Sequence, residues 1–301
     1  MTVRTTVAAR RLRAGVLSTL AALALAAGLS GCDLLAPEDG GPPTGVLSDV
    51  EAQAVIAGAP PGSALAVLGE LAVKGRAPGT GYERDRFGDG WVDVDRNGCD
   101  TRNDVLARDL TGETFRPGSD CVVLTGTLDD PYSGRTIEFR RGQDTSDDVQ
   151  IDHVVALSDA WQKGAQGWDA QRRTEFANDP LNLLAVDGPL NMQKGAGDAA
   201  TWLPPNRSVR CAYVARQVAV KSGYGLWVTR AEHNAAATVL SGCPDQPLPG
   251  DGGPAPEPAP SADVSYADCG AVRAAGAAPI HRGEPGWRDT FDGDGDGVGC
   301  E

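Results

Sequence analysis

Several features that commonly identify a protein class are scarce or missing in this sequence. It contains three histidines, two methionines and only 5% aromatic residues. No two cysteines have the Cys-x-x-Cys spacing, which argues against a cysteine-based zinc site. Basic residues are few, with 27 Lys and Arg against 41 Asp and Glu and a net charge of −14. Proteins that bind nucleic acid through a broad basic face are usually basic, so any such role must depend on local chemistry.

A long apolar run that could span a membrane is also missing. The uncharged run over residues 14–29 follows four arginines and ends at Leu29-Ser30-Gly31-Cys32. It is shorter than the roughly 20 residues of a membrane-spanning helix but suits an export signal. We therefore predict a lipoprotein signal peptide over residues 1–32, with cleavage before Cys32 and a membrane anchor on its thiol. A plain secretory signal is the alternative, and removal of either leaves a net charge of −18.

Export determines how the cysteines are interpreted. Of the seven cysteines, six remain once Cys32 is assigned to lipidation. An even number in an oxidising compartment predicts disulfide bonds. Although six cysteines can pair in many ways, chain order favours Cys99–Cys121, Cys211–Cys243 and Cys269–Cys300.

Composition and periodicity divide the exported chain into four parts. A Gly, Pro and Ala-rich tether is predicted over residues 33–61, a folded domain over 62–243, a Pro and Gly-rich linker over 244–260 and a small unit over 261–301. The folded domain mixes strand and helix patterns, which predicts the α+β class. The predicted strands are 121–128, 136–139, 149–156 and 183–186, and the predicted helices begin near Ser63, Asn103, Pro189, Val209 and Thr229.

An acidic loop near the start of this domain has part of a calcium-binding pattern. Asp93, Asp95, Asn97, Gly98 and Asp104 match positions 1, 3, 5, 6 and 12 of an EF-hand loop. Position 12 is normally a glutamate, and no clear helix precedes the loop. The other interpretation is a turn in which the side chains satisfy the backbone by hydrogen bonds.

The residues with most chemical promise lie between positions 150 and 195. His153 suits a general base near neutral pH, and Asp152 with Asn191 supplies oxygen ligands for a hard cation such as Mg²⁺. Lys194, one helical turn beyond Asn191, is predicted to contact a phosphate, and Asn182 to hold the loop behind His153. Because neighbouring side chains on a strand point to opposite faces, Asp152 and His153 can share a site only if the backbone bends there.

This arrangement resembles the HNH endonuclease superfamily, whose fold is a ββα-metal finger. The residues that carry the resemblance are Asp152-His153, Asn182, Asn191 and Lys194, and the strings 151–161, 176–184 and 202–205 are similar to secreted bacterial proteins related to the GmrSD C-terminal nuclease domain. The resemblance implies a ββα-metal finger inside a disulfide-stapled domain. It also implies His153 as the general base, Asp152 and Asn191 as ligands of one Mg²⁺ or Mn²⁺ ion, and products with 5′-phosphate and 3′-hydroxyl ends.

The C-terminal unit carries a second acidic loop. Asp292, Asp294 and Asp296 alternate with glycine, and the chain ends at Cys300-Glu301. This pattern resembles the Excalibur module, an extracellular calcium-binding region, which implies Ca²⁺ ligands at Asp292, Asp294, Asp296 and Glu301. A unit of this size needs a disulfide or a metal to fold, and a solvated acidic tail is the alternative.

Together these patterns predict an extracytoplasmic endonuclease that hydrolyses DNA or RNA with little sequence specificity. The partners expected are nucleic acid and the membrane, with no protein partner. A phosphate-binding track is expected among seven arginines: Arg135, Arg140, Arg141, Arg172, Arg173, Arg207 and Arg210. The alternative is a non-catalytic, calcium-dependent surface-binding lipoprotein that retains a degenerate HNH fold.

Overall fold

The computed structural model describes residues 45–143, 145–250, 265–274, 277–282, 286–295 and 297–300. The predicted signal peptide with Cys32 lies outside these residues, as do Asp296 and Glu301 of the second acidic loop. No helix in the described part of the chain is both long and apolar enough to cross a membrane.

Two short helices begin the described chain and correct the predicted tether. Helix α1 (Asp49–Ala57) starts at a capping box in which Ser48 and Glu51 satisfy each other's backbone N–H groups. Its Ala52 is fully buried, so the tether cannot extend to residue 61. Helix α2 (Ala64–Glu70) begins at Ser63, as predicted, and the Ser63 side chain caps it.

A three-stranded antiparallel sheet follows helix α3 (Thr101–Asp109). Strands β2 (Val123–Asp129) and β3 (Thr136–Arg140) overlap two of the predicted strands and pair as an antiparallel hairpin. Strand β1 (Leu110–Phe115) was not predicted. Its register with β2 shifts twice, and Gly112 adopts φ +62°, so the strand lacks the regular alternation that a sequence pattern would show.

Two antiparallel strands and a helix form the centre of the domain. Strand β4 (Val149–His153) pairs with β5 (Leu183–Asp187), and α6 (Gly188–Lys194) follows β5 directly. Helices α4 (Leu157–Trp161) and α5 (Ala170–Ala177) lie between the strands in sequence. β4 ends three residues before its predicted end, because the backbone N–H groups of the next two residues bond to Asn182 instead of continuing the ladder.

Two longer helices complete the main hydrophobic core. Helices α7 (Arg210–Tyr224) and α8 (Arg230–Ser241) pack with α1 and α2. Helix α8 begins at Thr229, as predicted, where Thr229 and Glu232 form a capping box. The predicted linker begins too early, since the Gln246 carbonyl accepts a hydrogen bond of 2.8 Å from the Ala64 N–H and Leu248 packs against the core.

Three disulfide bonds join Cys99 to Cys121, Cys211 to Cys243, and Cys269 to Cys300. All three predicted pairings are therefore confirmed. The last bond closes the small C-terminal unit, which contains α9 (Cys269–Ala274) and the paired strands β6 (Ile280–His281) and β7 (Val298–Gly299). The mixture of helices with antiparallel sheets agrees with the predicted α+β class.

Candidate active site

A polar cleft of about 430 Å³ lies where β4 ends beside helix α6. Asp152, His153 and Asn191 all line it, although they come from two different elements. Because β4 ends at His153, the neighbouring side chains of Asp152 and His153 both reach this cleft. The structure thus brings together three of the five predicted site residues.

Asp152 is held by a hydrogen bond to each carboxylate oxygen. The ammonium group of Lys194 donates to Oδ1 at 2.9 Å, and the Tyr132 hydroxyl donates to Oδ2. Burial, followed by the Asp152 charge, raises the pKa of Tyr132 well above its ordinary value, so this phenol remains a donor. The carboxylate is only 5% exposed and therefore has a fixed orientation at the edge of the cleft.

His153 has one ring nitrogen anchored to the backbone. Its Nε2 lies 2.9 Å from the carbonyl oxygen of Ala177. A carbonyl only accepts hydrogen bonds, so Nε2 carries the proton and the neutral ring has its lone pair on Nδ1. Trp91 stacks on this imidazole, with ring centroids 5.7 Å apart and planes 9° from parallel.

The pKa of His153 is lowered to about 4. Burial is the main cause, because it disfavours the charged imidazolium. The hydrogen bond to Ala177 and the charge of Asp152 oppose the shift without overcoming it. The imidazole is therefore neutral at physiological pH and able to accept a proton.

Asn191 is oriented by a neighbouring amide. Its Nδ2 donates a 2.9 Å hydrogen bond to Oε1 of Gln150, and both residues line the cleft. This bond leaves the side-chain carbonyl oxygen of Asn191 as the acceptor available for a ligand.

Asn182 has a positioning role. It is fully buried and does not line the cleft. Its Oδ1 accepts from the Val155 N–H at 2.8 Å, and its Nδ2 donates to the Val155 carbonyl at 3.3 Å. These bonds hold the turn after His153, so Asn182 acts on that histidine and not on a substrate.

The predicted phosphate contact of Lys194 is corrected by the structure. The side chain is fully buried, and its ammonium group donates to Asp152 Oδ1 and to the His153 carbonyl at 2.8 Å. Asp152 draws the lysine inward because an unpaired buried carboxylate would be costly. Lys194 therefore supports the two cleft residues from behind.

The arginines of the cleft are not those expected from the sequence. None of the seven arginines of the predicted track lines it; Arg135, for example, pairs with Asp187 at 2.7 Å, and Arg141 donates to Asn103 at 2.6 Å. Arg84 and Arg102 line the cleft instead. Within the described residues, no hydrogen bond or salt bridge occupies either guanidinium. The sequence carried no signal for them, because each is distant in the chain from β4 and α6.

Beside the cleft lies a network of six charged side chains, five of which are buried. Lys163 contacts Asp159, Asp198 and Glu232 at 2.6–2.9 Å. Lys221 also bonds to Asp159 and Glu232, and Arg76 to Asp159 and Asp198. With three carboxylates and three cations the network is balanced, which is the condition under which buried charges are tolerated. It ties α4, α7 and α8 to the loop after α6.

The first acidic loop is satisfied by its own backbone. Asp93 accepts from the N–H groups of Asn97 and Gly98, and Asp95 accepts from both the backbone and the side chain of Asn97. No group of three or more His, Cys, Asp or Glu side chains poised for a metal occurs among the described residues. These contacts favour the turn over the calcium loop.

The second acidic loop is described only in part. Asp292 accepts hydrogen bonds from the N–H groups of Gly295 and Gly297 at 2.7 and 2.9 Å, while Asp294 is exposed. These bonds curl the loop around Asp292, so that its carboxylate lies on the inside of the turn.

Comparisons with known proteins match the folded domain and the C-terminal unit to two different families. Residues 100–239 match the family model of the GmrSD restriction endonuclease C-terminal domain, and residues 266–301 match the Excalibur calcium-binding domain. A protein named "Uncharacterized secreted protein" from the fungus Arthroderma benhamiae is 38% identical over 183 residues, which cover 60% of this chain and 85% of the fungal protein. No solved structure matches the chain. The chain therefore belongs to the family of the GmrSD restriction endonuclease C-terminal domain, which indicates a nuclease, and carries a C-terminal Excalibur calcium-binding domain.

Proposed function

We propose that this protein is an extracytoplasmic, metal-dependent endonuclease of the HNH type. The observation that carries the proposal is the meeting of Asp152, His153 and Asn191 in one polar cleft with two arginines that have no partner among the described residues. The succession of the paired strands β4 and β5 and the helix α6 supports a ββα finger. Three disulfides and the name of the secreted fungal relative support a location outside the cytoplasm, and an anchor on Cys32 remains part of the proposal.

The ligands available in the cleft fit a small, hard cation. Asp152 supplies a carboxylate and Asn191 a carbonyl oxygen, which are ligands that Mg²⁺ and Mn²⁺ favour. Two protein ligands suffice for Mg²⁺, since this ion usually keeps several waters and also binds substrate phosphates. When bound, such an ion supplies Lewis-acid stabilisation of charge that develops on the phosphate and the leaving oxygen.

His153 is suited to activate the attacking water. Its Nδ1 can accept a proton, because the hydrogen bond from Nε2 to the Ala177 carbonyl keeps the ring proton on Nε2. Its lowered pKa keeps the ring neutral. The stacked Trp91 ring and the loop held by Asn182 restrict its orientation. Such a fixed neutral imidazole can take the proton from water as the water attacks phosphorus.

Arg84 and Arg102 are proposed to hold the phosphate. Residues 81–243 carry 18 basic and 24 acidic side chains, so a broad electrostatic surface is not available for binding. Burial is the main cause that lowers the pKa of Arg102, followed by the charge of Arg141. A phosphate in the cleft would offset both effects by pairing with the guanidinium.

A plasmid-nicking assay tests this function. The full-length protein is expected to convert supercoiled DNA or to cut RNA with Mg²⁺ or Mn²⁺, and to lose this activity in EDTA. His153→Ala should reduce the rate by at least about a hundredfold, and Arg84→Ala with Arg102→Ala should raise KM and weaken the salt dependence.

Arg230→Ala is the matched control, since Arg230 pairs with Asp49 outside the cleft. It should leave both the rate and the salt dependence unchanged. Failure of the wild type to cut DNA and RNA with any tested metal would favour the non-catalytic alternative. Equal cutting by His153→Ala would show that another group activates the water.

A further inference from the structure

A second pocket, of about 440 Å³, adjoins the polar cleft. The two share Arg84, His153 and Leu157, so a ligand in the second pocket would lie next to the proposed catalytic base. Its walls differ in character from those of the cleft, because Phe87, Trp91 and the other apolar side chains dominate its surface. A substrate that occupies both pockets must therefore have a charged part and a flat apolar part close together.

The charges around the second pocket oppose binding of a phosphate there. Asp85 and Asp89 also line it, against the single positive charge of Arg84. Carboxylates repel phosphate but accept hydrogen bonds from amino groups, such as those on adenine, cytosine and guanine. The volume lies in the range of about 300–1,000 Å³ typical of small-ligand sites, which is enough for one nucleoside.

The loop that forms this pocket is held in place from several sides. The Val92 N–H donates to Oδ1 of Asn178 at 3.0 Å, and Asn178 is fully buried. Gly88 and Gly90 adopt φ values of +103° and +107°, which other residues rarely tolerate. The loop therefore holds Trp91 against the imidazole of His153 without a bound ligand.

We propose that this pocket binds one unpaired base of the substrate beside the phosphate to be cut, so that the protein cleaves single-stranded nucleic acid in preference to duplex. The inference rests on the proposed nuclease function. A base in a duplex is stacked on both faces and paired along its edge, so it can enter such a pocket only after extrusion from the helix. Bases of a single strand enter freely and gain stacking on aromatic side chains.

The test compares three substrates of one sequence, with Mg²⁺ or Mn²⁺ and the full-length chain. These are a single-stranded oligonucleotide, its duplex, and a single strand with a run of abasic sites. Wild-type kcat/KM is expected to be at least about tenfold higher on the single strand than on either other substrate. Trp91→Ala should lower the rate on the normal strand to that on the abasic strand, while Trp91→Phe should retain most of the preference.

The abasic strand separates base binding from support of His153. If Trp91 only positioned His153, Trp91→Ala would lower cleavage of the normal and abasic strands by the same factor, and the proposal would be overturned. Equal wild-type rates on all three substrates would also overturn it. Trp227→Ala is the matched control, since Trp227 lies outside both pockets and should leave all ratios unchanged. A wild type that cuts none of the substrates refutes the nuclease function itself.

Discussion

At the scale of single residues, the adjacent Asp152 and His153 lie in different electrostatic environments. Asp152 accepts hydrogen bonds from the Lys194 ammonium group and the Tyr132 hydroxyl, whereas burial lowers the pKa of the adjacent His153 and keeps its ring neutral. In the proposed mechanism, Asp152 would bind the cation and His153 would accept the proton. This division of roles between adjacent groups is what hydrolysis by one base and one metal requires.

Asp159 is the residue whose protonation should affect stability most directly. Burial alone would raise its pKa, but Lys221 and Lys163 outweigh burial and lower it to about 2 from 3.8. A lowered folded-state pKa contributes stability that is complete above the unfolded value and is lost as the pH falls from about 3.8 towards 2. We expect Asp159→Asn to be less stable than the wild type at pH 6, and this difference to shrink by about 2 kcal/mol on acidification.

Urea unfolding between pH 6 and pH 2.5 measures this change. Asp89→Asn is the control, since Asp89 is exposed and takes no part in the network. Parallel stability curves for the wild type and Asp159→Asn down to pH 2.5 would contradict a protonation-linked role for this carboxylate.

At the scale of elements, the start of α6 packs closely against the segment before β4. Gly188 opens α6, and its N–H donates to the Asp148 carbonyl at 3.0 Å. A Cβ atom placed on Gly188 would lie only 1.9 Å from the carbonyl oxygen of Asp147. This glycine thus lets the helix that carries Asn191 and Lys194 begin directly beside β4.

Gly188→Ala should therefore push α6 away from β4. We expect a loss of about 1–3 kcal/mol in unfolding free energy, as for other overpacked sites, together with lower nuclease activity. Gly223→Ala is the opposite case, because a Cβ there meets nothing within 4 Å and the residue is exposed in α7. It should stabilise the protein by about 0.5–1 kcal/mol. Thermal unfolding of both variants measures these changes. An equal loss of unfolding free energy in the two variants would contradict the packing argument.

At the scale of the whole molecule, a nuclease domain and a calcium-binding domain are joined in one chain with a net charge of −14. The first contains three hydrophobic clusters. In the described part of the second, four buried residues form one small cluster, which includes the bridged Cys300. So small a core needs a disulfide or a metal for stability.

Calcium should therefore bind the C-terminal domain and not the acidic loop of the nuclease domain. Asp294→Ala is expected to weaken Ca²⁺ binding by at least about tenfold, because each lost carboxylate removes an oxygen ligand. Asp95→Ala should leave binding unchanged, since Asp95 already bonds to Asn97. Calorimetric titration of the full-length protein measures both, and loss of binding in Asp95→Ala would show that the first loop holds the ion.

Local sequence patterns were sufficient for the disulfide pairing, the helix caps at Ser63 and Thr229, and the strand-to-helix succession from β5 to α6. Each depends on residues close in the chain or on simple chain order. Strand β1 was missed because its shifted register breaks the alternation that marks a strand. The helix inside the predicted tether was missed although Ser48 and Glu51 have the spacing of a capping box, because the residues around it are rich in Gly, Pro and Ala.

The residues that carry the proposed chemistry were therefore readable from the chain, while their surroundings were decided by folding. Asp152, His153 and Asn191 could be selected by residue type and spacing. Folding placed Lys194 behind the cleft. It also lined the cleft with Arg84 and Arg102 and not with the predicted arginine track. The physical reason is that charge pairing and burial depend on distances between segments far apart in sequence, which only the tertiary structure determines.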